Sequence, residues 1–274
     1  MSLESDPIRH RGRMLRRFFA AKALEEAALA VHRRPSPAWA REMASGVLVA
    51  VHRSVLRWIA ALPPAPARAP VGLGLADGRT LVAPSDPSWA LRYSEEAELV
   101  RTALGGLAAE LHHIGSTAVP GLPAKPIIDL AVALPADGSE RARAEALRRL
   151  AGVGYRYRGN RQRRGGHYLA KFRDGRRTHA VQVHAQASPE LAELLRFREL
   201  LRRDRPLAEE YGRIKGSLAA AVGDDRRIYV WYKSHWINER VADPGRGPWS
   251  AYLLRQGFPS LRRLFGAGTP RLRA

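Results

Sequence analysis

An α/β (α+β) domain behind a helical N-terminal extension is the fold class that the sequence predicts, and three observations carry it. Residues 8–62 have helical periodicity. Pro63-Pro64-Ala65-Pro66-Ala67-Arg68-Ala69-Pro70 can continue neither a helix nor a central strand. Beyond residue 75, short β-like runs are mixed with helical ones.

The first helix stops at Pro35 and Pro37, with Ser36 expected to cap the next. In the second helix Val47, Val51, Val55, Trp58 and Leu62 recur at steps of three and four, forming one apolar stripe. That stripe packs on its own protein, or else lies on an anionic membrane with Arg53 and Arg57 at its polar edge. The Pro-rich stretch reads as a semi-rigid linker. Strands are expected at Leu111 to Ile114, Pro126 to Leu134, Tyr155 to Tyr157, Tyr168 to Phe172 and Ala180 to His184. Helices are expected at Ser88 to Leu104, Glu140 to Leu150, Pro189 to Arg203, Leu207 to Ala221 and Arg226 to Val241. The resulting division is a basic helical extension (1–62), a linker (63–75), the α/β domain (76–240) and a basic tail (241–274).

Composition narrows the function classes. With 46 Lys+Arg against 26 Asp+Glu the chain carries +20, and 45% of its residues are hydrophobic, enough for a core. A field of that sign attracts nucleic acid, nucleotides and anionic lipid without specificity. The arginines are spread along the chain, so compositional bias explains the excess equally well. The absence of cysteine excludes disulfides, thiolate metal sites and cysteine nucleophiles, and points to a reducing, cytoplasmic setting. Phe18 to Val31 is broken by Lys22, Glu25 and Glu26, unlike an export signal, and Val47 to Leu62 is too short and too charged for a membrane span, so no integral membrane segment is expected.

Chemistry concentrates in His112-His113-Ile114-Gly115-Ser116-Thr117 and in Lys125-Pro126-Ile127-Ile128-Asp129. A strand ending at Gly115 lets an anion approach the backbone, while Ser116 and Thr117 offer hydroxyl and amide donors to phosphate oxygens. Asp129 lies in the apolar run Ile127 to Leu134, where a carboxylate needs a metal, a cation or backbone donors. Held against a triphosphate, it would bind Mg²⁺; alternatively it ties down the Pro-rich loop before it. The i+2 position, where a second carboxylate would share the strand face, is Ala131. Lys125 is placed either to neutralise phosphate or to pair with Asp129. The cluster Arg156 to His167, with Arg163 and Arg164, is a clamp for triphosphate or polynucleotide, or a solvated hairpin.

Read together, these segments resemble the GrpB family of the nucleotidyltransferase-like superfamily over about residues 81–237. The resemblance is carried by Asp86-Pro87-Ser88-Trp89, by His113 to Leu122, by Ala124 to Asp129, by Arg177-Thr178-His179 and by Phe197 to Arg202. Glu210-Tyr211 with Lys215 and Tyr229 with Lys233 continue it. It implies a nucleotidyltransferase-like mixed sheet flanked by helices, and Mg²⁺-dependent transfer of a nucleotidyl or phosphoryl group from a nucleoside triphosphate to an unidentified acceptor. His113, Gly115, Ser116, Thr117, Lys125, Arg163 and Arg164 would bind nucleotide and phosphate, Asp129 would hold the metal with Gln182, and His184 would join Asp129 in catalysis. Two departures from the family's pattern favour a different class, a catalytically degenerate nucleotide- or RNA-binding module: Ala131 replaces an acid, and Gln182 a histidine. A third reading makes the N-terminal helices a membrane-surface or partner-docking element.

Overall fold

The computed structural model describes residues 7–65, 72–108, 110–135, 139–160 and 166–240. Its contacts divide the chain into a helical unit, which joins the N-terminal helices to the last described one, and an α/β unit running from Pro63 to Arg226.

The helical unit contains α1 (Pro7–Arg33), α2 (Ala38–Ala60) and α7 (Arg226–Arg240). The break between α1 and α2 falls where the prolines require it. Ser36, however, does not cap α2: Pro37 holds the N-cap position without a side-chain bond, and the Ser36 hydroxyl turns back to donate to the carbonyl of Val31 at 2.9 Å. It closes the helix behind it rather than opening the one ahead. Val51, Val55 and Leu62 are buried and Trp58 half-buried, so the apolar stripe of α2 is spent on packing. Tyr232 donates to the carbonyl of Met14 at 3.1 Å, and the indole of Trp231 donates to Glu25 at 2.9 Å. His52 and His235 meet Nδ1 to Nδ1 at 2.8 Å, a spacing that holds one proton between two nitrogens, while His52 Nε2 lies 2.9 Å from Glu239. The sequence division placed α7 in the α/β domain, whereas by contacts it groups with α1 and α2.

The α/β unit is built on six strands: β1 (Leu75–Ala76), β2 (Glu110–Ile114), β3 (Ile128–Leu134), β4 (Tyr155–Asn160), β5 (His167–Arg173) and β6 (Arg176–Ala185). They lie in the order β2-β3-β6-β5-β4, with β1 on β6 beyond the start of β3. Among the described residues only β3 and β6 run parallel, so the sheet is mixed. The helices are α3 (Ser88–Leu104), α4 (Glu140–Gly152), α5 (Pro189–Arg203) and α6 (Arg205–Val222). Ser139, Ser188 and Asp204 cap α4, α5 and α6 through their side-chain oxygens, with Pro inside the first turn of α5 and α6.

Alternation along β3 sorts the core. Leu130, Val132 and Leu134 join Leu169, Val181 and Val183 against Trp89, Val100 and Leu104 of α3 and Leu150 of α4. Ala131 and Ala133 face the other way, under Leu191, Leu194 and Leu195 of α5. Asp129 belongs to this second face, at the end where α5 no longer covers the strand.

Candidate nucleotide site beside Asp129

The site begins with a backbone requirement. β2 ends at Ile114, which pairs with Asp129 across the sheet, and the chain then turns at Gly115 with φ +73°. A Cβ at Gly115 would stand 3.0 Å from Asp129 Oδ2 and 3.4 Å from its Cβ, so only glycine lets this turn lie directly on the carboxylate. Ser116 starts a short 3-10 turn through Ala118, half-buried at its mouth, while Thr117 is buried behind it. The arrangement places an exposed backbone, a hydroxyl and a carboxylate together, and it is the pairing expected from the sequence. Gly115→Ala should destabilise the α/β unit by about 1–2 kcal/mol, through the left-handed φ and the carboxylate contact, as read by chemical denaturation.

The rest of the turn is held from behind. Arg198 on α5 donates to the carbonyl of His113 at 2.8 Å, and Arg202, one helical turn on, donates twice to the carbonyl of Ala118 at 3.0 and 2.8 Å. Lys215 on α6 donates to the carbonyl of Pro123 and lies 4.6 Å from the centre of the Tyr211 ring. Three cations thus satisfy the carbonyls of one residue near the end of β2 and two beyond it, which places the Phe197 to Arg202 and Tyr211/Lys215 segments behind the turn as its supports. Sequence reading missed this role, although Arg198 and Arg202 at i and i+4 on one helix face were a signal for it.

His113 is buried on the opposite sheet face from Asp129, stacked on Tyr93 with ring centres 4.4 Å apart, and its Nε2 lies 3.0 Å from Thr117 Oγ1. Burial first, and then the charges of Arg202 and Arg198, bring its pKa down to about 4. It is neutral at neutral pH and reaches the turn through Thr117 rather than directly.

β6 lies beside β3 and parallel to it, and its register spaces the remaining candidates. Gln182 pairs with Ala131, one step along from Asp129 on the same face, about 8 Å away between Cα atoms. His184 pairs with Ala133, about 13 Å along the strands from Asp129 at about 3.3 Å per residue. It is 3% exposed, neither ring nitrogen has a partner among the described residues, and a Cβ at Gly166 would meet its ring at 2.7 Å. Burial holds its pKa below the usual value. The structure therefore brings Asp129, Gly115 and Ser116 together, leaves Gln182 at long side-chain reach, and sets His184 apart. Lys125 is half-buried in the loop ahead of β3. Arg163 and Arg164 lie outside the described residues, as does the basic tail over 241–274. In the described part of the basic cluster, Arg158 pairs with Asp77 at 2.7 Å, and Arg156 lies 5.6 Å from the centre of the Phe172 ring. Among the described residues no three His, Asp or Glu side chains are grouped to hold a metal, and no helix is long and apolar enough to cross a membrane.

On the far face of the sheet is a cluster that the sequence reading did not find. Glu96 of α3 accepts from the Tyr155 hydroxyl at 2.9 Å and from Lys171 at 2.8 Å, with His179 Nε2 at 3.8 Å from its other oxygen. His179 also lies 3.0 Å from Thr178 Oγ1, so Thr178 and His179 join this buried network, whereas Arg177 donates to the Tyr168 hydroxyl at 3.3 Å, on the face that carries Gln182.

Comparison with known proteins agrees with this frame. The chain is 38% identical over 161 residues to a UPF0157 protein of Pseudomonas aeruginosa and 34% identical over 149 residues to the UPF0157 protein YqkA of Bacillus subtilis. These alignments cover 56% and 54% of this chain, and 63% and 42% of the respective relatives, so the chain spans less than two thirds of either. Among solved structures it is similar to the conserved protein GrpB from Enterococcus faecalis, with 30% identity, a TM-score of 0.48 and coverage of 57% of this chain and 99% of that one. A looser similarity, at 14% identity and a TM-score of 0.35 over 51% of this chain and 42% of that one, is to the Cid1 poly(U) polymerase with MgGTP bound. The family profile described as GrpB protein matches residues 79–242, more than half of the sequence, and the chain belongs to that family.

Proposed function

We propose that the Gly115–Ser116 turn and Asp129 bind a Mg²⁺-nucleoside triphosphate, from which a nucleotidyl or phosphoryl group passes to an acceptor. The observation that carries this reading is the nearness of Gly115 to the Asp129 carboxylate, whose Oδ2 a Cβ at Gly115 would meet at 3.0 Å: an anion-accepting turn lies beside a cation-accepting oxygen. The residues fit one Mg²⁺ whose remaining ligands are phosphate oxygens and water, with Asp129 its carboxylate and Gln182 a neutral oxygen at long reach. Bound there, the ion would neutralise charge on the transferring phosphate. Ser116 and the turn amides would orient phosphate oxygens, and Lys125 would add positive charge. His184 has no place in this step, because the register keeps it four pairs away from Asp129.

A second reading, binding without transfer, is favoured by one observation. Ala131 replaces a second carboxylate and is sealed under Leu191, Leu194 and Leu195, so one-metal binding is supported better than two-metal chemistry. Both readings predict that nucleoside triphosphate with Mg²⁺ raises the thermal midpoint, by the equivalent of about 2.7 kcal/mol at a hundredfold excess over Kd, and that Asp129→Asn abolishes the rise. A rise equal in the variant and erased by salt would sink both, leaving only general attraction of polyanions. Radiolabel transfer from the bound nucleotide then separates the readings.

A further inference from the structure

We propose that the turn end of the α1–α2 hairpin binds an anionic lipid surface, with Trp39 and Met43 entering the headgroup and acyl boundary. Both side chains are 65% exposed, unusual for residues of this size and polarity. They stand four residues apart on the first turns of α2, hence on one face of the helix. The packing of the hairpin does not need them: Ala44 and Leu48 on another face of α2 bury against Ala28, with Leu29, Val31 and Val47 around them. Two turns beyond Met43, exposed residues continue the outer stripe at Ala50, Arg53 and Arg57. This is a different stripe from the buried one on which the sequence first suggested a membrane role.

The surroundings select the partner. His32, Arg33, Arg34 and Arg41 are exposed beside Trp39 and Met43, around the connection between the helices. A second copy of this chain docking on the same patch would bring those arginines against their own kind, which opposes self-association there. A nucleic acid would welcome the arginines and stack on Trp39, but it offers nothing to the Met43 thioether. An anionic bilayer satisfies all three: phosphate headgroups for the arginines, the interfacial zone for the indole, and acyl chains for the methionine. Neither Trp39 nor Met43 is part of the nucleotide site, so the inference stands independently of that reading.

The test uses the full chain with extruded vesicles of phosphatidylcholine, with and without phosphatidylserine. Co-sedimentation should require phosphatidylserine. The double variant Trp39→Ser/Met43→Ser should partition at least about tenfold less at an unchanged thermal midpoint, because both side chains are exposed. Brominated acyl chains should quench tryptophan fluorescence in the wild type and not in Trp39→Phe, a depth-dependent signal that headgroup attraction alone does not produce. Replacing Arg33, Arg34 and Arg41 with Gln should weaken binding and reduce its salt dependence. Equal partition of the wild type and the Trp39→Ser/Met43→Ser variant, or no sedimentation with phosphatidylserine, overturns the proposal. So does a loss confined to binding of a single-stranded oligonucleotide, which would assign the patch to nucleic acid.

Discussion

Glu96→Leu is expected to destabilise the α/β unit by about 3 kcal/mol, more than most single substitutions outside the hydrophobic core. The carboxylate is 7% exposed and accepts from both Tyr155 and Lys171, and its removal strands an ammonium and a hydroxyl between α3 and the sheet. The cost comes from the partners left behind rather than from the attraction lost, so it should be recoverable. In Glu96→Leu/Lys171→Met most of the deficit should disappear, because replacing a buried pair by apolar groups of similar size is often close to neutral. Urea unfolding followed by circular dichroism gives both values, and their non-additivity measures the coupling. A double variant as unstable as the sum of the two single ones would mean that Glu96 acts alone.

Mild acid is expected to destabilise the α/β unit through His113. Its pKa is about 4 in the folded protein against about 6.5 in an unfolded chain, so the unfolded state takes up the proton first. Stability from this residue is therefore full above about pH 6.5 and is lost progressively as pH falls toward 4, by about 3 kcal/mol in all. Below that the loss levels off. His235 in the helical unit is shifted in the same direction, by burial first and then by the neighbouring His52, so that unit should weaken over the same side of neutrality. Denaturation midpoints measured from pH 7.5 to 4 should slope downward in the wild type, and His113→Phe, which keeps the stack on Tyr93, should flatten the slope in the α/β unit. An unchanged slope in that variant would assign the acid sensitivity elsewhere.

How much of this was legible in the sequence depended on whether the signal was local. α3 and α5 begin and end where Ser, Pro and the apolar period place them, and β3 and β6 declare themselves by unbroken apolar runs or strict alternation. The nearness of Gly115 and Asp129 was readable because both lie in one contiguous motif. What failed to show was offset. Gln182 and His184, two residues apart, share one face of β6, but parity says nothing of where a strand starts against its neighbour, and that register separates His184 from Asp129. Equally hidden were the links across long stretches of chain, such as Arg202 to Ala118 or Lys171 to Glu96, which exist only once the helices dock. β1 has two residues, too few to carry any pattern.

The order of the sheet also bears on edge-to-edge association. Its outermost strands are β2 and β4, and strand edges with free amides and carbonyls are templates for joining other chains. Here β2 carries Glu110 and His112 on one of its faces, while β4 carries Arg156 and Arg158 and loses its regular pairing between Tyr157 and Asn160. Charge on one rim and an irregular, arginine-bearing strand on the other make both borders poor seeds for growth into larger sheets. The same arginines that suggest a grip on polyanions thus guard the fold against its own kind.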